Sequence, residues 1–244
     1  MMRLLYISVL GSDMYNAHIL GLLQEGAAPD TEVAVCSLEG VPKSPFMPPV
    51  HQFYNQLLQT IIDAEKQGFD GVVIGCSSDP GLEDAKKLVN IPVTGPFEAY
   101  AHTAPAFGRT TIIATGYKID TWAPRAVAHG LGPYLTSVRE ANFDHPDPEL
   151  SARLHDEDED ELRRMVLTEM ERSIHDAAIE QTRQAAEVDG TKAVFFACTF
   201  WSGMLDPIAE AVPDVALLDP IVLPLKYLEL LVGIKQYSAI SPSA

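Results

Sequence analysis

Apolar runs of strand length alternate along this chain with longer stretches in which apolar residues return at helical spacing. The runs at 4–9, 32–37, 71–74, 111–115, 137–141 and 193–197 predict β-strands. Phe53, Leu57, Leu58, Ile61 and Ile62 fall on one helical face, and so do Leu162, Val166, Met170, Ile174 and Ala178. Each of these helices feeds a strand. Strands that are apolar throughout, with helices between them, predict parallel sheets covered on both faces. The opening stretch around Tyr6 and Ser8 has no small-residue cleavage site, so it reads as a buried first strand rather than a signal peptide.

The pattern repeats once. In each copy a helix ends near a glycine, Gly68 or Gly190, and eight residues later comes a cysteine, Cys76 or Cys198. Five residues beyond each cysteine stands another glycine, Gly81 or Gly203, and each copy then closes a short strand at Gly95-Pro96 or Asp219-Pro220. The copies also open alike, with Arg3 and Arg109 each leading a β run into a turn. Two related doubly wound α/β halves follow, expected as 1–98 plus 211–244 and 99–210, with one cysteine at the same place in each.

Composition narrows the function. The 244 residues are 47% apolar and 21% charged, ordinary material for a globular chain. A net charge of −17 repels phosphate backbones and anionic lipid, so nucleic acid and membrane are poor partners and a small molecule is the better expectation. No apolar run approaches the ~18 residues of a membrane span. Three cysteines do not suggest a disulfide framework and point to a reducing cytoplasmic setting.

The chemistry therefore centres on thiols. Ligand crevices of doubly wound sheets lie at the carboxyl ends of the strands, where both repeated cysteines stand. Halves related by a pseudo-twofold axis would turn Cys76 and Cys198 toward one cleft. A helix following each turn would lower the thiol pKa from its ordinary value of about 8.5. Two thiols flanking one carbon suit inversion of a stereocentre, one removing a proton and the other supplying one. Cys36, inside a strand and without a repeat partner, reads as packing. Neither repeated cysteine has metal-ligand neighbours at suitable spacing, so no metal is expected. Of the scattered histidines, His102, on the helix expected after Gly95-Pro96, is the one that merits attention. The acidic run His155-Asp-Glu-Asp-Glu-Asp-Glu161 reads as a solvated helix start. No P-loop, dinucleotide fingerprint or nucleophile elbow occurs.

Cys76-Ser-Ser-Asp-Pro-Gly-Leu-Glu-Asp-Ala85, followed by Ile91-Pro-Val-Thr-Gly-Pro-Phe-Glu-Ala99 and by Ala197-Cys-Thr199, resembles the aspartate/glutamate/hydantoin racemase superfamily, closest to the hydantoin and allantoin racemases. The resemblance covers nearly the whole chain. It implies two flavodoxin-like domains, a cleft between them, no cofactor, a homo-oligomer, and catalysis by Cys76 and Cys198. It implies substrate-binding positions at Ser8, Ser77, Ser78, Thr115, Gly116, Tyr117 and Thr199. The chain departs from the pattern at Ser8-Val-Leu-Gly-Ser12, which stands where Asn-Pro-Asn-Thr-Ser is usual, and at Phe200-Trp201, which either lines the cleft or packs in the core. Related members include cis-trans isomerases and decarboxylases of small carboxylates, which form the alternative enzyme reading; a sensor that kept the cleft is the non-catalytic one.

Overall fold

In the computed structural model, which describes residues 1–116 and 119–240, the chain divides into two compact units. The first is Met1–Pro96 together with the segment from Ile221 onward, and the second is Phe97–Pro220.

The first unit is built from β1 (Met2–Ser8), α1 (Asn16–Gly26), β2 (Thr31–Ser37), α2 (Tyr54–Lys66), β3 (Gly71–Gly75), α3 (Leu82–Leu88) and β4 (Val93–Thr94). Among the described residues its strands form one parallel sheet in the order β2-β1-β3-β4. Both faces are covered, which is why β1 and β3 are apolar along their length: Leu4 to Ile7 and Val72 to Ile74 are all buried. Leu57 and Ile61 of α2, the predicted helical face, pack with Ile7, Val72, Ile74 and Leu82 in one core. The helix α10 (Val222–Ile240) covers the sheet with Leu225, Leu228 and Val232. It lies so close to β3 that a Cβ at Gly71 would meet Leu228 Cδ1 at 2.9 Å.

The second unit repeats the plan with α4 (Pro96–Thr103), β5 (Thr110–Ala114), α5 (Ile119–Ala128), β6 (Leu135–Glu140), α6 (Pro148–Glu157), α7 (Glu159–Ser173), α8 (Ile179–Glu187), β7 (Ala193–Phe196), α9 (Asp206–Ala211) and β8 (Ala216–Leu218). Its parallel sheet runs β6-β5-β7-β8, the same order as the first. The expected α/β architecture of two flavodoxin-like sheets is thus what the chain adopts. The chain re-enters the first unit at Ile221 rather than at 211, because β8 pairs with β7 and keeps the intervening residues with the second sheet.

The repeat is visible in backbone geometry. Gly68 and Gly190 close the helices before β3 and β7 with φ of 78° and 69°. Arg3 Nη1 donates to Gly68 O at 3.2 Å, and Arg109 Nη1 lies 3.5 Å from the Cβ position of Gly190. Gly81 and Gly203, five residues past the cysteines, have φ of 70° and 76°, a left-handed region that costs other residues roughly 1–2 kcal/mol.

The second predicted ladder is buried throughout, yet its spacing of four would drift about 40° per step around an ideal α-helix. Its last step, Ile174 to Ala178, falls in a π-helical segment in which Ile179 N–H bonds Ile174 O, and this wider turn offsets the drift of that step. The acidic run divides between two helices: His155 to Glu157 end α6, with His155 buried, and only the second half starts a helix, where Asp158 Oδ1 accepts from Glu161 N at 3.0 Å and caps α7. Among the described residues no helix is long and apolar enough to cross a membrane.

Candidate active site

Cys76 stands directly after β3, half-buried at the carboxyl edge of the first sheet. The strand ends on Gly75, where a Cβ would lie 2.4 Å from the ring of Tyr6, so only glycine lets the chain pass β1 this closely. The Sγ of Cys76 lies 3.2 Å from Met47 Sδ and 3.2 Å from Ser78 Oγ. The next residue, Ser77, is buried, and its hydroxyl has no hydrogen-bond partner among the described residues. A buried unpaired hydroxyl costs about 1–3 kcal/mol, which makes Ser77 Oγ a group with capacity to spare for a ligand.

The turn continues through Asp79, the one non-glycine among the described residues with positive φ, at 43°. Its N–H bonds Cys76 O at 2.9 Å, and its buried carboxyl occupies the space where Gly95 lacks a side chain, a Cβ there lying 2.3 Å from Oδ1. Ser8 ends β1 in register with Gly75 and Ser37, which places it beside the Cys76 turn, and it is buried. Past it, Ser37 Oγ lies 2.8 Å from Ser12 O and 3.0 Å from Asn16 Oδ1, its one hydrogen shared between the two acceptors, a polar knot beside the stretch Ser8 to Ser12.

In the second unit Cys198 stands after β7, also half-buried and extended, and Thr199 opens a short 3-10 turn that ends at Trp201. Ser202 Oγ donates to Asp219 Oδ1 at 2.6 Å and Gly203 N–H to Oδ2 at 3.4 Å, tying this turn to the end of β8. Of the two readings for Phe200-Trp201, Trp201 is in the core and fully buried, while Phe200 is half-buried. Thr115 and Gly116 follow β5, and the Gly116 amide already donates to Asn142 Oδ1 at 2.7 Å. A substrate oxygen would have to displace that amide's partner. Tyr117 lies outside the described residues.

Two expectations change. The helix after each cysteine does not begin at the thiol: α3 starts at Leu82, and after Cys198 only the 3-10 turn precedes α9 at Asp206. Helix-terminal charge falls off within a turn, so it does not carry the activation argument. His102 sits exposed on α4. Cys36 behaves as packing, with its thiol pushed up to about 11, first by burial and then by the carboxylates of Asp13 and Glu39. Met47 and Asn142, and the bonding role of Asp219, are not legible in the sequence. Met47 lies in the proline-rich stretch Pro45-Phe-Met-Pro-Pro49, which has no period to place it; only the aspartate of Asp219-Pro220 carried a signal, through the repeat. Among the described residues no cluster of three or more His, Cys, Asp and Glu could hold a metal ion.

Comparison with known proteins agrees with this architecture. A hydantoin racemase of Rhizobium meliloti is 26% identical over 185 residues, 72% of this chain and 66% of that protein, a little under two thirds of its length. A hydantoin racemase of a Pseudomonas species is 23% identical over 86% of this chain and 78% of its own. The fold is similar to that of the allantoin racemase from Klebsiella pneumoniae, with a TM-score of 0.75 at 22% identity over 96% of this chain and 89% of that one. The model of the Asp/Glu/Hydantoin racemase family matches residues 4–227, and the chain belongs to that family.

Proposed function

We propose that the protein is a cofactor-independent racemase of a hydantoin-like or amino-acid-derived substrate, using Cys76 and Cys198 as its two bases. The observation that carries this reading is the equivalence of the cysteines. Each follows the third strand of a four-stranded parallel sheet, and each stands five residues before a glycine of positive φ. Similarity to hydantoin racemases supports the substrate class.

The C5–H of a hydantoin is acidic because the carbanion delocalises into the adjacent carbonyl. One cysteine, as thiolate, takes this proton. The C–H electron pair passes into an enolate, and the other cysteine, as thiol, returns a proton to the opposite face. The charge has then moved from one sulfur to the other. The reaction requires both sulfurs to reach one carbon from opposite sides. Ser77 Oγ is our candidate donor to the enolate or ring carbonyl, a role supported by its being buried without a hydrogen-bond partner among the described residues. Ser8, Ser78, Thr115, Gly116, Tyr117 and Thr199 complete the proposed binding set.

The test is α-proton exchange in deuterated water with each pure enantiomer of hydantoins, allantoin and acidic amino acids. Racemisation should stop in both Cys76→Ser and Cys198→Ser. Each variant should retain exchange of the single enantiomer that its remaining thiol deprotonates, with opposite preference. Racemisation near the normal rate in both would refute the pair; dependence on one cysteine only, with alkene or carboxylate products, would favour an isomerase or decarboxylase.

A further inference from the structure

We infer that Trp201 and Ser173 are positioning residues for Cys198: a hydrogen bond from a buried indole to a hydroxyl at the π-helical break sets the turn that carries the thiol. The inference rests on the two-thiol reaction and adds to it a residue pair outside the cysteine motif.

Beyond β7 the sheet soon stops holding the chain. Ala197 N–H still reaches Ile113 O at 2.8 Å, but past it Trp201 N–H to Cys198 O spans 3.3 Å and Ser202 N–H to Thr199 O spans 3.2 Å. These lie at the long end of hydrogen bonding and clamp the turn poorly. Two shorter bonds to it are made by side chains. Trp201 Nε1 donates to Ser173 Oγ at 2.8 Å, alongside the bond from Ser202 to Asp219. The indole is fully buried and sits edge-on to Phe196 at 5.9 Å and to Phe143 at 6.4 Å between ring centroids. Apolar contacts allow a ring to slide or flip; a single buried donor does not, since leaving it unpaired costs about 1–3 kcal/mol. The bond therefore selects one rotamer at Trp201, and with it the backbone three residues from the thiol.

Ser173 can accept because of where it stands. Its own hydrogen goes to Met170 O at 2.7 Å, leaving lone pairs for the indole. It is the last residue of α7, and the π-helical turn begins immediately after it. Met170 before that turn and Ile174 and Ala178 within it are all buried, so Ser173 is bracketed by core residues where it meets the Cys198 turn. Segments of this kind are rare and recur at functional sites. A misplacement of 1 Å at a reacting group can cost on the order of a hundredfold in rate, so a clamp remote from the substrate matters.

The experiment uses the full chain with Trp201→Phe, Ser173→Ala and Ser173→Thr. Iodoacetamide labelling of Cys198 and Cys76 is followed against pH by mass spectrometry, and racemisation is followed on each enantiomer. In Trp201→Phe and Ser173→Ala the Cys198 profile should shift while the Cys76 profile stays in place. In both, kcat should fall about tenfold or more with KM within about twofold. Ser173→Thr, which keeps the hydroxyl, should restore both. Unchanged Cys198 labelling, or equal changes at both cysteines, overturns the inference. The labelling needs no substrate, so a protein that fails to racemise refutes the proposed reaction while the clamp is still decided.

Discussion

The thiol of Cys76 rests 3.2 Å from the thioether of Met47. The loop carrying Met47 is held by its own contacts: Tyr15 hydroxyl donates to Pro45 O at 3.3 Å, and a Cβ on Gly11 would lie 2.4 Å from Val41 O. The methionine thus covers the sulfur from within the first unit. Met47→Ala should raise the iodoacetamide labelling rate of Cys76 several-fold at fixed pH and leave Cys198 unchanged. Equal rates in the variant and the unmodified protein would show that the thioether does not cover the thiol.

Cys36 should be the least reactive cysteine. With its thiol at about 11, only about one molecule in a thousand carries the thiolate at pH 8, and the thiolate is the nucleophile. Labelling of Cys36 should remain slowest at neutral pH and rise steeply above pH 9. Fastest modification at Cys36 in a mass-spectrometric time course contradicts this.

Acid stability should depend on Asp189. Ser137 Oγ donates to its Oδ2 at 2.6 Å, and Arg139 Nη2 lies 2.8 Å from the same oxygen. The Ser137 hydrogen bond, aided by Arg139 and opposed by burial, holds this carboxyl below its ordinary range. A depressed carboxyl binds fewer protons folded than unfolded, so its stabilisation is full above the unfolded value of about 3.9 and is lost as pH falls through the folded value. Asp189→Asn should cost about 1.5–3 kcal/mol at pH 7 and show a smaller loss between pH 5 and 3 than the unmodified protein. Urea midpoints across that window decide it; parallel curves for the two proteins would exclude Asp189 as the source.

Gly81→Ala and Gly203→Ala should each destabilise by about 1–2 kcal/mol, since both positions hold φ near 70°. At Gly81 a Cβ also meets Tyr54 Cε2 at 3.2 Å, so that variant should be the worse of the two if Tyr54 cannot give way. Denaturant unfolding measures both, and a neutral result at Gly203 would mean the turn relaxes to another conformation.

Periodicity located three strands of each parallel sheet, because strands buried on two faces must be apolar throughout and helices between them must repeat near 3.6; the short edge strands β4 and β8 were legible only through the repeat. The cysteine positions and the paired glycines were legible for a similar reason. A duplicated fold repeats its turn chemistry at the same offsets, and left-handed φ leaves glycine as the residue of least strain. Only the tertiary structure decided what surrounds the candidate site residues. Met47 reaches Cys76 across 29 residues of sequence, Asn142 takes the Gly116 amide across 26, and Ser173 meets Trp201 across 28. Such partners belong to loops and helix ends that carry no period, so their placement follows from how β2, β6 and α7 pack rather than from any local preference. The π-helical turn shows the same limit in one element. The spacing of four that predicted a helix was correct about burial, but an ideal α-helix drifts away from that spacing, and only the structure shows the wider turn at Ile174–Ala178 that offsets the drift at the ladder's end.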